Sequence, residues 1–197
     1  MLHYTNESTF STITLQLVKN RKMFIVIDRS VYDLHMQSLH FLLNHSQVTF
    51  TSIIESGEPN KSFLTLHDLL NQMLSSELHR DDLLVAIGGG VVSDITGLAA
   101  SLYKRGMPWL AIPTTLLAMI DAAIGGKTAV NTDYGKNLIG TFHLPEHILI
   151  NDVFLGTLPE REWVNGLGEY MKYGFIRRPD LLYKMYQVSL AWHDVLV

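Results

Sequence analysis

The chain has no cysteine, which excludes a disulfide scaffold and every thiolate metal site; any zinc must be held by His, Asp or Glu. Charge is scarce as well. Only 17% of residues are Asp, Glu, Lys or Arg, against about 25% in an average globular protein. The 15 Lys and Arg are outnumbered by 19 Asp and Glu, so the chain lacks the basic field that non-specific nucleic-acid binding needs, and no nucleic-acid partner is expected. No apolar run approaches the roughly 20 residues that span a bilayer. The most apolar stretch, 109–124, is interrupted by Pro113, Thr114, Thr115 and Asp121, so no membrane partner is expected either. The first residues carry neither a basic start nor an apolar stretch, no secretory signal is read there, and the cytoplasm is the default compartment.

What is present is a large apolar fraction, 47% of 197 residues, enough for one substantial core and against disorder. Residues 22–28 read as a buried strand ending in Asp28. Tyr32, Met36, Leu39 and Leu43 then recur at helical spacing and predict the inner face of a following helix. Residues 47–54 are the next strand, and Leu66, Leu69, Leu70 and Met73 line the next helix. Residues 83–87 form a continuous apolar run of the kind found in parallel sheets covered on both faces. A helix with Ile95, Leu98, Ala99 and Leu102 on one side follows and ends at Lys104-Arg-Gly106. Residues 109–112 and 147–150 supply two more strands. This alternation predicts a doubly wound α/β domain with a mostly parallel sheet, and ligands beyond the carboxyl ends of its strands. The stretch from Pro113 to Pro145 is expected to be a long functional loop rather than strand.

From Pro159 the pattern turns helical, with Pro and acids in the first turn, and Pro179-Asp180 opens another helix. The division is expected at 1–158 for the α/β domain and 159–197 for the first helices of a second. Because the last helix ends without a stop signal, the chain is expected to be cut off inside a larger protein.

Three clusters are candidates for chemistry. Gly88-Gly-Gly-Val-Val-Ser-Asp94 lies between a strand and a helix, where bare backbone N–H groups and a helix N-terminus hold a pyrophosphate; it departs from the strict dinucleotide fingerprint, and a tight turn with Ser93 as N-cap is the plain alternative. Asp121-Ala-Ala-Ile-Gly-Gly-Lys-Thr128 imitates the end of a P-loop but has Asp where that motif needs Gly, which disfavours a nucleotide triphosphatase. Lys127, Lys136 and Arg105 together suit an anionic substrate and a cofactor phosphate, against a reading of each as a solvated surface charge. In Gly166-Leu-Gly-Glu-Tyr-Met-Lys-Tyr-Gly174, Glu169 and Lys172 share one helix face at i and i+3. They are either a structural ion pair or a carboxylate metal ligand beside a substrate lysine.

Taken with Ser56-Gly-Glu-Pro-Asn-Lys61, Tyr103-Lys-Arg-Gly106, Ile112-Pro-Thr-Thr-Leu-Leu-Ala-Met-Ile-Asp121, Gly125-Gly-Lys-Thr-Ala-Val-Asn131, Gly135-Lys-Asn-Leu-Ile-Gly140 and Phe154-Leu-Gly-Thr-Leu-Pro159, these segments resemble the 3-dehydroquinate synthase family of sugar phosphate cyclases. The resemblance implies an N-terminal α/β domain that binds NAD, a C-terminal helical domain, zinc or cobalt as Lewis acid, a sugar phosphate substrate and a homodimer when full length. It implies transient oxidation of 3-deoxy-arabino-heptulosonate 7-phosphate, loss of phosphate, re-reduction and aldol closure. Another cyclase specificity, making a deoxyinosose or a valiolone, and a non-catalytic NAD-binding module are the alternatives.

By motif, the resemblance assigns Asp28, Glu58, Lys61, Gly89, Gly90, Val91, Asp94, Thr114, Thr115, Lys136, Phe154 and Thr157 to the cofactor. It assigns Arg105, Asp121, Lys127, Lys136, Asn137, Glu169 and Lys172 to the substrate, with Lys127, Asn137 and Lys172 as the catalytic set and Glu169 as the metal ligand. Two departures stand out. Arg29-Ser30 replaces the family's small polar pair after Asp28, and the family's two zinc histidines belong to a helical domain that is mostly absent here.

Overall fold

The computed structural model describes residues 1–185. Among the described residues the main elements follow in chain order: β1 (Leu2–Thr5), α1 (Glu7–Leu17), β2 (Met23–Asp28), α2 (Arg29–Leu43), β3 (Val48–Ile54), α3 (Phe63–Ser75), β4 (Leu83–Gly88), α4 (Gly90–Leu102), β5 (Trp109–Pro113), β6 (Lys127–Thr132), β7 (Gly135–Phe142), β8 (His147–Asn151) and α5 (Glu160–Ile176). Six strands form one sheet in the order β1-β8-β5-β4-β2-β3, with every neighbouring pair parallel. Its central strands β4 and β5 are buried along their whole length, as the continuous apolar runs require of a sheet covered on both faces. This is the expected doubly wound fold. The chain runs from β2 outward to β3, then crosses back to β4 and out to β5, so the order reverses between β2 and β4. The crevice of such a sheet opens there, beyond the carboxyl ends of those two strands.

Several expectations are corrected. The stretch 113–145 is not a strandless loop: it holds a π-helical turn, Ala118–Ala122, and the antiparallel hairpin β6–β7. Lys127 and Lys136 therefore stand on strands. Helix α4 begins at Gly90 with Gly89 as its cap, and Ser93 is buried inside the helix instead of capping it. On α2 the buried residues are His35, Leu39 and Leu42, and Tyr32 and Leu43 pack partly buried against the core; of the four residues expected on the inner face, Met36 faces solvent at 48% exposed. Leu102 also faces solvent. Neither β1 nor α1 was expected. The first has four residues, and the second is capped by Asn6 with Thr9 as the reciprocal partner, in place of the Glu or Gln that marks a capping box in sequence. The second helix of the C-terminal region is present over 179–185; the rest of the expected helix lies outside the described residues.

The hairpin packs along α4, and a glycine permits it. A Cβ at Gly97 would collide with the Thr128 methyl and lie 2.9 Å from the Trp109 ring. Gly97→Ala is predicted to destabilise the fold by about 1–3 kcal/mol through overpacking, read as a lower urea midpoint. An unchanged midpoint would show that the hairpin is not seated this closely.

Candidate functional site

At the carboxyl ends of the strands, the chain builds a cradle with little side-chain bulk. Gly88 ends β4, and its carbonyl accepts the amide of Thr114, which follows β5, at 3.0 Å. A Cβ on Gly89 would lie 2.9 Å from the Thr115 methyl, so only glycine lets the loop approach Thr115. Helix α4 starts directly behind, which leaves its first N–H groups free for an anion. Across the crevice, Asp28 ends β2 and caps α2: its Oδ1 accepts from Ser30 N at 2.9 Å and Ser56 Oγ at 2.6 Å. Arg29, the first departure from the family motif, pairs with Glu55 at 3.0 Å instead of entering the crevice.

Beside the cradle lies an open cleft of about 470 Å³ lined by Asp94, Asp121, Lys127 and Asn137, among others. Its organising group is the buried Lys61, 5% exposed as a residue. The ammonium pairs with Asp94 of α4 and also donates to Asn137 Oδ1 on the hairpin. Asn137 takes a left-handed conformation (φ 58°), which Asn tolerates better than most residues. Its N–H donates to Asn131 Oδ1 at 3.0 Å, and the Asn131 amide donates to Glu58 Oε1 at 2.8 Å. Lys136 reaches the same Glu58 oxygen at 3.5 Å. Burial pushes the Glu58 carboxyl up, but the Asn131 hydrogen bond and the charges of Lys136 and Lys61 outweigh it and hold the group below its usual value. Asp94 goes the other way: burial raises it to about 6, with Lys61 opposing and the Glu58 and Asp121 charges adding to the rise.

Helix α5 meets the cleft through Asp121. Tyr173 donates its hydroxyl to Asp121 Oδ1 at 2.9 Å, and that bond, with burial and the Asp121 charge, pushes the phenol up to about 12. Glu169 and Lys172 form the i,i+3 ion pair. The Glu169 Oε1 that meets the ammonium is itself buried. That oxygen suits a metal ligand, but no group of three or more His, Cys, Asp or Glu residues that could hold a metal exists among the described residues. A catalytic zinc needs about three protein ligands, so the residues present do not fit one.

The assigned residues thus fall into connected groups. Asp28, Gly89, Gly90, Val91, Thr114 and Thr115 surround the crevice. Lys61, Glu58, Asp94, Lys136 and Asn137 form one network, and Asp121 joins the cleft to the helix of Glu169 and Lys172. Phe154 and Thr157 lie on the 3-10 turn Asp152–Thr157 after β8. The Phe154 ring is 1% exposed and belongs to the core, which leaves only its backbone for a ligand. Arg105 is not brought to the cleft. The 13 residues of α4 carry the chain about 20 Å to the other end of the sheet, where Arg105 sits in left-handed backbone (φ 67°). Asn131, Tyr173 and His35 were not singled out from sequence. The first two lie inside quoted motifs, but polar residues on a strand or helix carry no local signal of the distant partner they bind.

The Lys61 network yields a pH-dependent prediction. Because Asp94 is raised from 3.8 to about 6, the folded protein holds this proton more tightly than the unfolded chain, and the contribution of Asp94 to stability falls as pH rises through that window. Lys61→Met strands a buried carboxylate and is predicted to cost about 3 kcal/mol at pH 8. At pH 5, where Asp94 is protonated, the cost shrinks. Urea unfolding at the two pH values reads the difference; equal costs would contradict the pairing.

Known proteins resemble the chain in sequence and in fold. The family model described as 3-dehydroquinate synthase N-terminal matches residues 51–165. The 3-dehydroquinate synthase of Bartonella quintana (strain Toulouse) is 46% identical over 157 residues, covering 79% of this chain and 42% of that protein. The corresponding synthase of Campylobacter jejuni (strain RM1221) is 43% identical, covering 80% and 44%. Among solved structures, ValA, a 2-epi-5-epi-valiolone synthase from Streptomyces hygroscopicus subsp. jinggangensis 5008 with NAD+ and Zn2+ bound, superposes with a TM-score of 0.82 at 36% identity, covering 91% of this chain and 50% of that one. A 2-deoxy-scyllo-inosose synthase complexed with carbaglucose-6-phosphate, NAD+ and Co2+ gives a TM-score of 0.74 at 26% identity, covering 87% and 47%. The chain therefore spans less than half the length of these curated synthases. With a family model matching more than half of its residues and with the crevice and cleft in the positions described, the chain belongs to the 3-dehydroquinate synthase family.

Proposed function

We propose that this chain is the NAD-binding half of a sugar phosphate cyclase. The observation that carries the reading is the glycine cradle at the switch point, with Asp28 across from it and a lysine-lined cleft beside it. In the proposed complex, the amides at Gly89 and Gly90 and the start of α4 hold the pyrophosphate, because unpaired N–H groups and the helix dipole favour an anion there. The second oxygen of Asp28 accepts from a ribose hydroxyl while the first continues to cap α2. Bound NAD supplies a reversible hydride acceptor. Lys127, Lys136 and Asn137 bind and orient the phosphorylated substrate in the cleft, and Lys172 is the lysine that α5 contributes. Arg105 stays a proposed substrate ligand by resemblance alone.

Within the cyclases, 3-dehydroquinate synthesis from a 7-phospho-heptulosonate is one specificity, the one named for the curated relatives, beside the valiolone and deoxyinosose chemistry named for the solved structures. The proposed division between the α/β domain and a helical domain follows residue 158. A second reading has a specific observation in its favour: one buried carboxylate, Glu169, is the sole assigned metal ligand, so the chain alone binds NAD without turnover. Zinc or cobalt and a second subunit would then belong to the complete protein. Among the described residues no helix is long and apolar enough to cross a membrane.

Calorimetric titration with NAD tests the proposal. The chain is predicted to bind NAD, and Gly89→Val, which drives a side chain into Thr115, to weaken binding by about tenfold or more, equivalent to at least ~1.4 kcal/mol. Equal affinity in the two proteins would remove the cradle from the site.

A further inference from the structure

Helix α2 buries a histidine that neither the cleft nor a salt bridge explains. His35 is 6% exposed, and its Nε2 lies 2.6 Å from Thr157 Oγ1. The ring meets Phe154 edge-on at 5.1 Å, and Phe154 meets Phe10 of α1 in the same way at 5.8 Å. Asp28 caps this helix seven residues earlier, about two turns away. One rigid helix therefore joins the acid at the crevice to the turn that carries Thr157.

We propose that His35 is a positioning residue for nucleotide binding: as a neutral imidazole it orients the Thr157 hydroxyl from inside the fold, which couples NAD affinity to the absence of a proton on this ring. The inference rests on reading the crevice as an NAD site.

A threonine hydroxyl has one hydrogen to donate and two lone pairs to accept with. In the Nδ1–H tautomer of the neutral ring, the bare Nε2 takes that hydrogen and leaves both lone pairs for donors on a ligand. A protonated ring must donate instead, which occupies a lone pair and turns the hydroxyl hydrogen toward the Phe154 carbonyl, 3.4 Å away. Protonation also places a charge against apolar rings. Burial accordingly holds His35 below its ordinary 6.5, and no charged side chain contributes to the lowering. By linkage, a ligand that prefers the neutral ring lowers its pKa further, and its own affinity falls as pH drops below the His range. Asp94, on the cofactor side, titrates near 6 and supplies a pH-dependent background. His147 is also lowered, but it opens β8 at the opposite end of the sheet from Thr157.

The test compares NAD affinity at pH 7.5 and 5.5 in the wild type and in His35→Gln, whose amide stays neutral at both. Wild-type affinity is expected to weaken between the two values by about threefold more than that of the variant, which corresponds to ~0.65 kcal/mol. Parallel profiles would overturn the proposal, and so would a variant that melts earlier with the same profile, since that is a purely structural role. In the unmutated protein, the NMR titration of the His35 ring should shift to lower pH when NAD is saturating; an identical midpoint with and without NAD would overturn the coupling even if the variant fails to fold. Failure of the wild type to bind NAD at pH 7.5 would overturn the cofactor reading and this inference with it. Binding with an unaltered profile would overturn this inference alone.

Discussion

The buried ammonium of Lys61 is the interaction on which the site depends. It lies between Asp94 on the first turns of α4 and Asn137 on the hairpin, two elements that share no strand pairing. The main sheet would form without it, because β4 and β5 are buried by their own apolar side chains and the helices on either face. The hairpin has no such support from the sheet. Its place relative to the glycine cradle is set by the Lys61 hydrogen bond to Asn137, by the Asn131 bridge to Glu58 and by the glycine contact against α4. The Lys61–Asp94 pair is a poor source of stability, since desolvation consumes most of its Coulomb gain, but it fixes the ammonium that the hairpin must meet: a hairpin displaced by one residue would lose the Asn137 bond to it.

This arrangement joins two kinds of chemistry on one framework. The crevice is made of backbone, with glycines where a ligand must come close and a helix start where negative charge is favoured. The cleft is made of side chains, with lysines spaced along a hairpin and carboxylates held on α4 and on the π-helical turn. Asp94 belongs to both, which explains why its carboxyl feels burial, Lys61 and the Asp121 charge together. A β-hairpin also holds Lys127 and Asn137 more firmly than the expected loop would, as functional side chains on regular elements are better positioned than those on loops.

The sheet was legible in the sequence because its strands are continuous apolar runs separated by helical periodicity, a signal strong enough to place β2, β3, β4, β5 and β8. The hairpin was not. Residues 127–142 are polar and rich in glycine, and their strand character comes from pairing with each other and packing on α4, which no local pattern records. The first strand and helix escaped for a similar reason: Leu2–Thr5 is too short to show alternation, and the cap on α1 uses Thr9 in place of the acid or amide that marks the motif. Residue types identified the cradle, since glycines after an apolar strand have few other uses. They gave no hint that Phe154 is core, that Arg105 is carried to the far end of α4, or that His35 faces inward. Each of these is fixed by tertiary placement, and polarity alone assigns a histidine to the surface.

The account stands on a nucleotide entering the crevice between β2 and β4. Amide chemical shifts of the isotope-labelled chain, followed as NAD is added, test that directly. The predicted result is that the largest shifts fall at Gly88 to Val91, at Asp28 and Ser30 across the crevice, and at Thr114, Thr115 and Thr157, while a separate hollow between β3 and α3, lined by Ser52, Asp68 and Gln72 among others, is unaffected. Shifts confined to that hollow, or no shifts at saturating NAD, would contradict it.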